Sequence, residues 1–324
     1  MNMQSIKIFF NILISIFITI FSVNLFFNNE KNNINFSDLI HTLKDGWIYF
    51  LFACILLIVS VFFRTYRWIY LFKSESKINF FLLFKSQLIG YFSNNIFPIR
   101  IGDVVRSYVV SKHTDKETSY IIGTIAMERV VDTLAIITLS IITLFYYGAD
   151  YLEIQFNFIN IPFLVTVLFI IVIGFILYNN ILKFSFSKKI DKILQNIWTG
   201  FSDIQLNHKK SIFMLSISIW LIFAINVYLI QLIFPDLKLN FFDCILILVA
   251  SSFIQMIPVG FGAVGVFHLG VQGVLLKLGI NNYNNFIIML HLYSLFIYTF
   301  LGAYYFFTDN KLRFKNLFES INKT

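Results

Sequence analysis

Asn95-Ile-Phe-Pro98-Ile-Arg100-Ile-Gly102-Asp103-Val-Val-Arg106 decides how this chain is read. A second stretch, Gln255-Met-Ile-Pro258-Val-Gly260-Phe-Gly262-Ala-Val-Gly265-Val-Phe-His268, repeats its pattern about 160 residues later. In each copy an apolar helical run meets a proline, a glycine follows four residues on, and a new run begins. Proline ends a helix by removing an amide donor, and the break leaves backbone groups free to meet a ligand. Two such breaks at corresponding places in an apolar chain are the sequence mark of a transport site.

The surroundings of the two breaks set the class. The 324 residues are 58% hydrophobic and 13% charged, and the mean hydropathy is +0.78. Continuous apolar runs joined by short polar loops predict an all-α polytopic membrane protein. Their continuity excludes the alternating pattern of a β-barrel. Runs long enough to span lie at roughly 7–27, 47–66, 119–147, 161–178, 211–234 and 284–306. Four shorter runs, about 80–97, 102–112, 241–257 and 262–279, flank the two breaks. The first run lacks a cleavage site and reads as a retained helix.

The net charge of +8 is not a nucleic-acid signal, because lysine and arginine collect in particular loops. Segment 64–79 carries Arg64, Arg67, Lys73 and Lys77; loop 179–210 carries six lysines; the tail carries Lys311, Arg313, Lys315 and Lys323. Loop 148–160 carries Asp150 and Glu153 and neither lysine nor arginine. Basic segments inside and acidic ones outside place both termini in the cytoplasm, in a bacterial cytoplasmic membrane. Segment 98–118, with Arg100, Arg106, Lys112 and Lys116, also falls inside. The run 80–97 then enters and returns on one face, and 241–279 does the same from the other. Trp47 and Trp68 mark the two ends of the second span.

The order span, span, re-entrant hairpin, span thus occurs over 1–147 and again over 161–306, with counterparts offset by about 154 to 165 residues and opposite starting faces. That is about six full spans plus two re-entrant hairpins in an inverted-topology repeat, one membrane domain with a short tail at 307–324. Cys54 and Cys244 lie in apolar runs and read as small hydrophobes, with no metal cluster or cofactor motif.

The candidate substrate-binding residues follow from the breaks. A helix beginning near Gly102 points its positive end at an anion, and Arg100 adds a fork suited to phosphate. Asp103 sits in the first turn, placed to orient an arginine, and Arg106 lies a turn further on. Asn95 and Pro98 lead into the break. Glu128 and Asp132, four residues apart, share a helix face with Arg129 beside them. Such charges inside a membrane helix line a polar path, couple protons, or form an ion-pair lock. Pro258, Gly260, Gly262 and Gly265 permit close backbone approach, and His268 is a titratable group beside them. His291 and Lys277 are weaker candidates.

Asn95…Pro98-x-Arg100-x-Gly102-Asp103-x-x-Arg106, Glu128-Arg129-x-x-Asp132 and Pro258-x-Gly260-Phe-x-x-x-Gly265-x-Phe-His268 together resemble the flippase-like transmembrane family named after lysylphosphatidylglycerol synthase. Some members carry Glu where this chain has His268. The resemblance implies handling of a lipid with a phosphate-bearing, anionic head group, either a phospholipid or a polyprenyl-phosphate carrier. The soluble aminoacyl-transfer domain of full-length synthases is expected to be absent, since the chain ends shortly after its last span. Two other readings stand beside translocation: a membrane enzyme using Glu128, Asp132 and His268 on a lipid phosphate, and a membrane subunit recruiting a lipid-modifying enzyme through loop 179–210. No G-x-S-x-G, Walker A or HExxH motif is present.

Overall fold

The computed structural model describes residues 16–17, 19–27, 36–73, 78–97, 100–148, 188–256, 261–281 and 283–309. Among these residues every regular element is a helix. In chain order they are α1 (residues 19–27), α2 (Phe36–Asp45), α3 (Trp47–Ile69), α4 (Phe80–Ile96), α5 (Gly102–His113), α6 (Thr118–Tyr147), α7 (Lys188–Ser202), α8 (Lys209–Gln231), α9 (Phe241–Met256), α10 (Val266–Lys277) and α11 (Asn284–Thr308). Of the described helices, α3, α6, α8 and α11 are long and apolar enough to cross a membrane. The span expected at 161–178, most of the one at 7–27, and the residues Pro98, Pro258 and Gly260 lie outside the described residues.

The helix ends follow local chemistry. Asn79 caps α4 by accepting the Phe81 N–H at 2.8 Å. Gly148, at φ 72°, ends α6 and donates its N–H to the Leu144 carbonyl. Outward faces stay apolar, as Phe300, Phe213 and Leu134 are each at least 60% exposed. A chain with such a surface satisfies its backbone inside helices and gives its side chains to lipid.

The helix contacts have an internal order. Helix α3 packs on α8; α4 on α5, α3 and α11; and α9 on α10, α8 and α6. Exchanging α3 with α8, α4 with α9, α5 with α10 and α6 with α11 maps the principal contacts among these eight helices onto themselves. The first helix of each short pair therefore lies on the last long helix of the other half. Small residues let the pairs close: a Cβ on Gly102 would meet the Gly90 carbonyl oxygen at 2.1 Å, so α4 and α5 cross backbone to backbone.

Two expectations are corrected here. Arg64 and Arg67 are not in a loop, because α3 runs on to Ile69 and buries both, with Arg67 fully hidden. Trp68 is not at an interface: it is fully buried and donates its indole N–H to Thr124 Oγ1 at 3.0 Å. Trp47, at the other end, is 57% exposed.

Candidate functional site

A cavity of about 510 Å³ lies among α3, α4, α5, α6, α8, α9, α10 and α11, where the two short helix pairs meet. Of the residues expected to bind substrate, Asn95, Arg100, Asp103, Arg129, Asp132 and Gly262 line it. The sequence reading missed Arg64, Tyr91, Asn94, Trp220, Ser251, Ser252, Gln255, Ser294 and Tyr298, which line it too.

The charged wall has two layers. Below the surface, Glu128 is fully buried; it accepts a hydrogen bond from Arg106 Nη1 at 3.1 Å and stands 3.7 Å from Arg64 Nη1 and 3.9 Å from Arg67 Nη2. Asp132 takes Arg67 Nη2 at 2.8 Å and Arg64 Nη1 at 3.7 Å. Arg67 also donates to Ser216 Oγ on α8 at 3.1 Å. Toward the cavity, Asp103 receives Arg129 through a fork, Nη2 at 2.8 Å and Nε at 3.2 Å, and Arg106 Nη2 at 2.9 Å. The Arg106 guanidinium lies 4.9 Å over the Trp68 ring.

The ion-pair lock anticipated for Arg106 and Arg129 is therefore present, and it extends to two arginines from α3. Arg100 stands apart. It lines the cavity and makes no hydrogen bond or ion pair among the described residues. Five guanidiniums (Arg64, Arg67, Arg100, Arg106 and Arg129) face three carboxylates (Asp103, Glu128 and Asp132), so two positive charges are in excess. An excess of this kind in a desolvated setting is relieved by an anion.

Helix α5 begins at Gly102, and its first amide is already used: Gly102 N–H donates to Asn94 Oδ1 at 2.8 Å. Asn95 Nδ2 donates to Thr299 Oγ1 at 2.9 Å and ties the tip of α4 to α11.

The second break is built differently from its expectation. Gly265, at φ 85°, precedes α10, and its N–H donates to His268 Nδ1 at 3.2 Å. His268 is thereby a helix-capping residue, 4% exposed, packed against Phe26 and Phe27 and outside the cavity lining. The imidazole in the cavity wall belongs to His291, whose Nε2 is 2.9 Å from the Gly262 carbonyl oxygen. Gly102, Arg106, Glu128 and Gly265 also lie behind the wall rather than on it. One missed signal was legible: Ser251, Ser252 and Gln255 fall on one face of a helix that is otherwise apolar after Asp243.

Helices of membrane length around a charged central cavity define a polytopic helical membrane protein with an internal polar site. The family model described as the lysylphosphatidylglycerol synthase TM region matches residues 8–302, and the chain belongs to that family. It is also similar to the UPF0104 membrane protein MJ1078 of Methanocaldococcus jannaschii, 30% identical over 213 residues, covering 64% of this chain and 88% of that protein. No solved structure matches the chain. Family membership makes this a multi-pass membrane protein linked to lipid handling.

Proposed function

We propose that the protein translocates a phosphate-bearing lipid between leaflets, passing the head group through the central cavity while the lipid tails stay in the bilayer. The observation that carries this reading is the uncompensated positive charge at the cavity wall, centred on Arg100. Its guanidinium is the one cavity-lining cation without an ion pair among the described residues. Guanidinium forks match phosphate oxygens, and a charge-assisted bond is worth about 1.5–3 kcal/mol, or roughly 10- to 150-fold in affinity.

The exchange pattern of helix contacts supports two halves, 1–147 and 161–306, related as an inverted repeat. In this arrangement α4–α5 and α9–α10 are re-entrant hairpins entering from opposite faces, with both termini cytoplasmic. An enzyme reading gains less support, since Glu128 and Asp132 are each held by two or more arginines and His268 lies outside the cavity.

The test is translocation in proteoliposomes carrying fluorescent phospholipids and polyprenyl phosphates, with chemical analysis of the recovered lipids. Wild-type protein is expected to move a phosphate lipid unaltered, and Arg100→Ala to slow that movement by about 10-fold or more without lowering thermal stability. Undiminished transport by a folded Arg100→Ala protein overturns the site. Chemical conversion of the lipid replaces translocation with catalysis.

A further inference from the structure

The cavity is electrically lopsided, and its two sides belong to different parts of the chain. Every charged carboxylate or guanidinium that lines it comes from α3 to α6 and the residues between them, namely Arg64, Arg100, Asp103, Arg129 and Asp132. Among the described residues, the walls from α8 to α11 contribute an indole, hydroxyls, an amide and an imidazole, with no carboxylate and no lysine or arginine. Two uncharged polar groups in the lining residues have no hydrogen-bond partner among the described residues: Trp220 Nε1, in a side chain that is 6% exposed, and the Tyr91 hydroxyl. Buried donors of this kind are destabilising until a ligand or water meets them.

The carboxylates matter as much as the neutral wall. Asp103 and Asp132 are each already engaged by two arginines, so neither is free to receive an ammonium group. A cationic head group entering here meets net positive charge and no open counter-charge.

We infer that the cavity selects an anionic lipid whose head group beyond the phosphate is an uncharged polyol or sugar, and discriminates against amine-bearing head groups. This rests on the translocation reading above. The phosphate sits toward Arg100 and Arg129. The hydroxyls face the wall of Trp220, Ser251, Ser252 and Gln255, where the indole and the amide offer donors, and the amide and the two serine oxygens, whose hydrogens go to the Leu248 carbonyl, offer acceptors. An aromatic face beside hydroxyl-bonding groups suits the mixed apolar and polar faces of a polyol ring. A site built to hydrogen-bond hydroxyls also disfavours a lipid lacking them, because the Trp220 indole N–H then stays unpaired.

The experiment reconstitutes the full chain in vesicles of neutral lipid. Separate preparations hold fluorescent phosphatidylinositol, phosphatidylglycerol, phosphatidic acid, phosphatidylethanolamine or lysyl-phosphatidylglycerol. The polyol lipids are expected to move at least 10-fold faster than the two amine-bearing ones and several-fold faster than phosphatidic acid. Trp220→Phe keeps an aromatic ring, though a smaller one, and deletes the donor; Ser252→Ala deletes one hydroxyl at little steric cost. Each is expected to lower the ratio of phosphatidylinositol to phosphatidic acid movement by about 3- to 10-fold. Lysyl-phosphatidylglycerol moving as fast as the polyol lipids overturns the selectivity while leaving translocation standing. So does a ratio unchanged in both variants. No movement of any phosphate lipid overturns translocation and this inference with it.

Discussion

Replacing Glu128 by glutamine tests what the buried charges do for the fold. The side chain is fully buried and within 3.1 to 3.9 Å of Arg106, Arg64 and Arg67. The substitution keeps the shape and one acceptor oxygen, so the hydrogen bond from Arg106 has a route to survive. It deletes the charge, which leaves the four ion-paired guanidiniums, Arg64, Arg67, Arg106 and Arg129, with Asp103 and Asp132 alone and Arg100 still unpaired among the described residues. Removing one partner of a buried ion pair typically costs about 3–5 kcal/mol, because the stranded charge stays desolvated. With an unfolding entropy of about 2.1 cal/mol/K per residue, that corresponds to a fall in Tm of roughly 4–7 °C for a chain of this length. The assay is thermal unfolding of the detergent-purified protein, with Glu117→Gln as the control. Glu117 pairs with Lys192 at 2.6 Å, but the two side chains are 51% and 66% exposed, so its loss is expected to cost less than about 1 kcal/mol. Adding Arg106→Gln to Glu128→Gln is expected to recover part of the loss, since the excess charge goes with it. A Glu128→Gln protein melting as the wild type does would show that the network is not what holds α3, α5 and α6 together.

Other perturbations have equally definite outcomes. A Cβ on Gly200 would meet the Tyr120 carbonyl oxygen at 1.9 Å, so Gly200→Val is expected to undock α7 from α6 and to expose the α7 segment to limited proteolysis while the long helices stay protected. Tyr147→Phe removes the hydrogen bond that the phenol donates to Asp243; Asn240 N–H still serves that carboxylate at 2.7 Å, so the expected loss in thermal unfolding is modest, about 1–2 kcal/mol. Cys54 and Cys244 are both buried and unpaired, so a polar maleimide is expected to label neither in the folded protein and both after denaturation; rapid labelling of the native state would contradict the packing of α3 and α9.

Much of the fold was legible because it rests on short-range signals. Apolar run length marked the helices, and the paired Pro/Gly breaks marked where the short helices meet. The misreadings arise where partners lie far apart in the chain. Arg64 and Arg67 looked like loop charges because hydropathy treats an arginine as solvent-seeking, and their carboxylate partners lie on α6. Trp68 fitted the habit of interfacial aromatics, yet Arg106 and Thr124 enclose it from α5 and α6. His291 rather than His268 lines the cavity, for a local reason. The positive φ of Gly265 starts α10 so that the third residue of the helix folds back on the Gly265 amide, and His268 is spent as a cap. Among the described candidates, Asn95, Arg100 and Asp103 on the first break line the cavity, whereas the second break contributes Gly262, beside serines the sequence reading had not picked out.

The exchange of partners between halves has a consequence for synthesis. Helix α4 ends at Ile96, but α11, on which it packs, begins at Asn284. At about 5–20 residues per second, a ribosome takes roughly 10–40 s to cover that gap. Through that time Lys85 lacks Asp309, its partner at 2.9 Å, and Asn95 lacks Thr299. The first half therefore waits in the membrane with polar groups unmatched until nearly the whole chain has emerged, and it completes its own packing only when the second half arrives.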